Sequence, residues 1–197
     1  MQTYFSQFFY SLTKIFIFLF VAFNMASCIP PDVKGTADTQ FFDLKGFLDT
    51  QIAQLEKKEI TITKKAVLEG QTTQQSLKKI DWKEEFAFFY SADINTPQLR
   101  DRYKIEKTPQ KWTFKTQEDN LIVKEMHIFF NENNQKNSFD NVKEILIVQK
   151  DKNNLYENDR TLILKMKESG LESYSIKGSE DVILNKKQEF LVEGIIK

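Results

Sequence analysis

The stretch NLIVKEMHIFF, residues 120–130, decides the fold class. Its side chains alternate between two faces, as a strand requires. Ile122, Met126, Ile128 and Phe130 share one face, interrupted by Lys124, and Val123, Glu125, His127 and Phe129 share the other. Neither face is cleanly polar, so the sheet holding this strand is expected to be covered on parts of both sides.

Similar β-rich runs surround it at 111–115, 142–150, 161–167, 174–177, 182–184 and 188–196, separated by Asn, Asp, Gly and Lys. Links this short pair neighbouring strands antiparallel, because a parallel partner needs a crossover of helix length. Upstream, Ile60, Ile62, Ala66 and Leu68 alternate. Glu69-Gly70-Gln71 offers a turn, and the polar run 72–77 can return as the partner strand. Phe41, Leu44, Leu48, Ile52 and Leu55 recur at helical spacing, with Asp38 or Thr39 placed to cap the first turn, although Gly46 weakens that helix. A second helix is expected from Asp81-Trp82-Lys83-Glu84, a capping-box pattern followed by Phe86, Phe89 and Tyr90. Thr96-Pro97 then starts a short helical turn running to Tyr103. The expected fold is α+β: a curved, half-barrel-like antiparallel sheet of about seven to nine strands with two main helices packed on one face.

The N-terminus carries an address. Residues 15–23 read IFIFLFVAF, an apolar run about half the roughly 20 residues of a membrane span but suited to the core of a secretory signal. Lys14 is the only charged side chain before it. After it, Asn24-Met25-Ala26-Ser27-Cys28 resembles the bacterial lipobox, which places cleavage between Ser27 and Cys28 and implies lipidation of Cys28. Cys28 is the single cysteine of the chain, so no disulfide is available to the domain. Two or three acyl chains at about 0.8 kcal/mol per buried CH₂ would hold the protein at a membrane permanently. The expected organisation is a removed signal at 1–27, an extended tether at 28–40 with two prolines and a glycine, and one domain at 41–197.

Composition excludes several activities. Lys plus Arg and Asp plus Glu each number 28, and this balance argues against nucleic acid, which demands a basic stripe. The single His127 lies in a strand pattern without a nucleophile elbow, and a tetrahedral zinc set cannot be built from one His and one lipidated Cys. Asp151-Lys152-Asn153-Asn154-Leu155 starts like a calcium loop but has Tyr156 and Leu162 where the Gly and Glu should stand, so a hairpin turn is expected. No glycine-rich phosphate loop is present, and no metal or cofactor is expected. Asp81, Glu84 and Glu85 fit a helix start better than acid/base work. The densest polar cluster is Asp93, Asn95, Arg100, Asp101, Arg102 and Tyr103, a candidate for partner contact.

Residues 42–46 (FDLKG), 81–85 (DWKEE) and 91–97 (SADINTP) resemble corresponding segments of a family of uncharacterised lipoproteins from the Bacteroidetes. The resemblance covers most of 41–197 and implies a membrane-bound lipoprotein without implying a chemistry. The segment IPPDVK after Cys28 lacks the acidic cluster that accompanies surface display in that phylum, so the outer membrane, facing the periplasm, is the expected location.

Three roles fit: a non-catalytic binding module for a hydrophobic ligand or an envelope protein, an accessory or scaffold subunit of an envelope complex, and a carboxylate-dependent hydrolase. A deep apolar cavity would favour the first, a shallow exposed apolar patch the second, and a cleft with two facing carboxylates the third. Cys28→Ser is expected to abolish lipid attachment and to release the domain from membranes or stall its precursor. Membrane fractionation checks this, and a variant that fractionates like an unacylated parent contradicts it.

Overall fold

The chain was analysed as a computed structural model, which describes residues 40–131, 139–183 and 186–197. The signal segment, Ser27, Cys28, all but the last residue of the tether, Asp38 and Thr39 lie outside the described residues.

Strand alternation produces a mostly β architecture. The strands are β1 (Ile62–Leu68), β2 (Gln71–Leu77), β3 (Lys104–Lys107), β4 (Lys111–Lys115), β5 (Val123–Phe130), β6 (Val142–Lys152), β7 (Tyr156–Lys167), β8 (Gly170–Val182) and β9 (Gln188–Ile196). They form one open antiparallel sheet of nine strands in the order β2-β1-β9-β8-β7-β6-β5-β4-β3. From β3 to β9 each strand follows its neighbour by the shortest link, and the β1–β2 hairpin adds to β9. That hairpin closes through Glu69 at φ 50° and Gly70 at φ 80°. Positive φ at both central residues is the type I′ turn, whose twist matches the strands it joins.

The helices are α1 (Leu44–Leu55), α2 (Trp82–Glu85) and α3 (Ala87–Ser91), and residues 97–99 and 139–141 form single 3₁₀ turns. In α1, Leu44, Phe47, Leu48, Gln51, Ile52 and Leu55 are buried, the spacing of one helix face. Its cap is Asp43, whose carboxylate accepts the Gly46 N–H at 2.9 Å. This corrects the expectation of a cap at Asp38 or Thr39, and Phe41 precedes the helix rather than starting it. It also explains Gly46, since a Cβ there would run into the Asp43 carboxylate.

The core cluster contains buried residues of the strands and of α1, α2 and α3. Across the strands, Phe114, Met126, Ile147, Leu162 and Ile176 make one row, and Trp112, Ile128, Ile145, Leu164 and Tyr174 make the next. The Tyr174 ring meets Phe86 at 5.6 Å and Phe89 at 6.4 Å, both edge-on. Edge-to-face pairs at these distances contribute about 0.5–1.5 kcal/mol beyond their buried area.

Three further expectations need correction. The second helix is not continuous: it breaks at Phe86, with φ −99° and ψ 15°, between α2 and α3. Aromatic residues are poor helix formers, and burial of Trp82, Phe86 and Phe89 outweighs the lost helical hydrogen bonds. The run 174–177 and Val182 belong to one 13-residue strand, β8, which pairs along its length with β7, and Ile183 lies past its end. The helical turn at Pro97 ends at Leu99, and Tyr103 leads directly into β3.

Val123 pairs with Gln149 and Glu125 with Val148, so Lys124 is the extra residue of a β-bulge. The bulge restarts the alternation: Val123, not Ile122, joins Met126, Ile128 and Phe130 in the core, and Ile122 is 49% exposed. The interruption visible at Lys124 is a change of register and not a lapse within one face.

Gly194 is required by the ring that crosses it. It pairs with Tyr174 across β8–β9, and a Cβ at this position would collide with the Tyr174 ring. Gly194→Ala is therefore expected to destabilise the domain by about 1–3 kcal/mol, the usual cost of overpacking, read as a lower urea midpoint.

Candidate functional site

Alternation places the remaining side chains on the opposite face of the sheet. There, Thr113, His127, Leu146, Ile163, Ser175, Glu193 and Lys65 form a row across seven strands. Its apolar members are only half-buried, so this is the outward-looking face.

At the β3 end of that face lies a cleft of about 690 Å³, lined by Asp101, Arg102, Tyr103, Lys104, Glu106, Thr113, Lys115, Thr116, Gln117 and Glu118. The β5 bulge shapes one wall. Lys124, displaced by the bulge, sends its ammonium to the carbonyls of Glu118 at 2.8 Å and Asp119 at 3.0 Å. Thr116 N–H donates to the Lys124 carbonyl at 3.0 Å, and the Thr116 hydroxyl accepts the Glu118 N–H at 3.2 Å. A loop that would otherwise carry unsatisfied carbonyls is thus pinned beside the strand.

Three cation–carboxylate pairs line the cleft or its rim. Arg102 binds Glu118 through two nitrogens and reaches Asn120 at 3.1 Å, Lys104 meets Glu106 at 2.9 Å, and Lys115 meets Glu125 at 2.6 Å. Glu125 also contacts His127 Nε2 at 3.0 Å, and His127 Nδ1 lies 3.2 Å from the Thr113 hydroxyl. A carboxylate can only accept, so Nε2 carries the proton toward Glu125, and in the neutral ring Nδ1 accepts from Thr113. The Lys115 ammonium first, and the His127 ring second, hold the Glu125 carboxyl below the usual glutamate range.

A hydroxyl, an imidazole and a carboxylate in series have the connectivity of a hydrolytic triad. The strand around Thr113 is unsuited to that use. Thr113 sits in β4 between Glu106 of β3 and His127 of β5, so the backbone groups of its own strand serve the sheet and not an oxyanion site. The arrangement orders side chains across the strands.

Tyr103 floors the cleft. Its hydroxyl donates to the Val123 carbonyl at 2.6 Å, and burial pushes it up to about 12, so it is a fixed neutral donor. Of the six residues singled out in the sequence, Asp101, Arg102 and Tyr103 line the cleft and the other three do not. Asp93 is half-buried, accepts the Asn95 N–H at 3.1 Å as a turn residue, and faces Asp43 and Lys45. Burial raises its carboxyl above the usual range. Arg100 is exposed after the 3₁₀ turn.

Other candidate groups are in structural use. Asp81 accepts the N–H groups of Lys83 and Glu84, both at 3.1 Å, as a helix cap. Glu85 pairs with Lys64 at 2.8 Å and accepts the hydroxyl of buried Tyr174, a link between α2 and the sheet. In the β6–β7 hairpin the Asn153 side chain accepts the N–H groups of Leu155 at 2.7 Å and Tyr156 at 3.0 Å, and Asp151 accepts the Tyr156 hydroxyl. The segment that starts like a calcium loop is a closed hairpin turn. Among the described residues no group of three or more His, Cys, Asp or Glu is placed to hold a metal ion.

Comparison of the chain with protein-family models, with curated proteins and with solved structures found no match.

Because the fold favours the charged form of Glu125, its contribution is present above the ordinary glutamate range and is lost as pH falls through its lowered value. Glu125→Gln is expected to be less stable than the parent at pH 7 by up to about 1 kcal/mol, with the difference shrinking as pH falls through the lowered value of Glu125, as measured by urea unfolding over a falling pH series.

Proposed function

We propose that the protein is a lipid-anchored lipoprotein of the cell envelope whose domain is a non-catalytic binding module for a protein partner, engaged at the cleft beside β3 and β4. The observation that carries this reading is the placement of the cleft. It opens on the outward sheet face among paired charges, while Phe47, Phe86, Phe89 and Phe114 fill the space on the core face.

A cavity for a lipid or other apolar ligand needs apolar walls around an empty volume. The aromatic packing around Tyr174 works against that alternative. A mixed-charge cleft suits a polypeptide of alternating charge. Exposed ion pairs contribute little to stability, so a partner's charges can replace Glu118, Glu106 or the cations at small cost while fixing orientation. In this reading the sheet curves, half-barrel-like, around α1, α2 and α3 on its core face.

The anchor rests on the lipobox-like residues ending at Cys28, and the outer membrane facing the periplasm on the lack of an acidic cluster after it. No described helix is long and apolar enough to cross a membrane. Family membership among Bacteroidetes lipoproteins rests on the three matching segments. An accessory role in a larger envelope complex is the same geometry with a permanent partner.

Reversing two cleft cations, Arg102→Glu with Lys115→Glu, is expected to reduce co-purification of the partner from detergent-solubilised membranes at least tenfold while membrane attachment persists. Quantitative mass spectrometry of the eluates checks this, and an unchanged partner profile contradicts the assignment of the cleft.

A further inference from the structure

We infer that two copies of this protein pair through β2, antiparallel about a two-fold axis at Gln74, joining their sheets into one. The two ends of the sheet are unlike. The β3 end has four residues, three of them charged (Lys104, Glu106 and Lys107), the usual protection of an exposed edge. The β2 end presents seven, Gln-Thr-Thr-Gln-Gln-Ser-Leu, with no charge and no proline.

The hairpin geometry determines which groups are available. In a two-residue type I′ hairpin the pair flanking the turn, Leu68 and Gln71, is hydrogen-bonded, and bonded pairs then recur at every second residue. Gln71, Thr73, Gln75 and Leu77 therefore bond to β1. The N–H and C=O groups of Thr72, Gln74 and Ser76 point away from the sheet.

A two-fold axis through Gln74 matches these groups to themselves. Gln74 meets Gln74 of the second copy and Thr72 meets its Ser76, giving about six backbone hydrogen bonds. All the facing side chains are neutral, and Thr–Ser and Gln–Gln can hydrogen-bond across strands. The same register puts Lys79, two residues past the strand and beyond a bend at Lys78, at the end of the paired edge where the partner's turn carries Glu69, within reach of two long side chains, and the symmetry brings this about twice. Both residues are exposed, and neither has an ion-pair partner among the described residues of one copy. This charge match at both ends of a neutral strand selects a second copy over an unrelated strand.

The test uses the full-length chain in detergent. Gln74→Cys places two thiols on residues whose Cα atoms would be about 5.5 Å apart, within disulfide range. Mild oxidation should give a disulfide-linked homodimer that neither the parent, with Cys28, nor a Glu106→Cys variant forms. Glu69→Lys and Lys79→Glu, each singly, should raise the dimer dissociation constant about tenfold by sedimentation with unchanged circular dichroism, and the doubly exchanged variant should restore it. A parent that sediments as a monomer overturns the inference. So does a folded Gln74→Cys chain that stays uncross-linked or links to a different envelope protein, or a double exchange without rescue.

Discussion

The Tyr174 ring lies across Gly194 and against Phe86 and Phe89, and the rest of the structure depends on that contact. A nine-stranded open sheet buries nothing by itself; it needs one face removed from water. The Tyr174 hydroxyl reaches Glu85, which also holds Lys64 of β1, so one polar cluster ties α2 to two strands at the edge of the apolar contact. Burial of the tyrosine raises its hydroxyl pKa, which keeps it a neutral donor to the carboxylate. The glycine is part of the same device: only a residue without a side chain leaves room for the ring.

Aromatic side chains fill one face of the sheet, and the cleft opens on the other. The β5 bulge matters here because it does two things with one residue. It turns Val123 inward to complete the core, and it frees Lys124 to hold the loop that walls the cleft. The Lys115, Glu125, His127 and Thr113 series is a direct consequence of cross-strand register, since Thr113 and Lys115 of β4 meet His127 and Glu125 of β5 only when the two strands pair.

Much of the fold was legible in the sequence because strand alternation survives locally. The bounds of β4 and β9 follow from their residues, and Glu69-Gly70 marks the β1–β2 turn. What was not legible depends on distant partners. The extent of β8 is set by β7, the break at Phe86 by burial of neighbouring rings, and the short charged β3 by β4. The bulge announced itself only as a lysine in the wrong place. Of the candidate site, Asp101, Arg102 and Tyr103 stood out as a dense polar cluster, whereas Lys115, Glu118 and Glu125 carry no local signal because their pairing partners lie on other strands or loops. Asp93 and Asn95 stood in the same cluster for a local reason: they make a turn.

A filled core and an outward polar cleft are what the fold itself provides; the proposed anchor and the proposed protein partner would make it a module that presents this face at a membrane. The most direct measurement is site-specific photo-crosslinking in intact cells, with the photoreactive residue in place of Thr113 inside the cleft or of Leu155 at the far hairpin. The account predicts a discrete protein adduct from position 113 and none from position 155. A cleft that captures nothing, or an adduct formed at the hairpin alone, would contradict it.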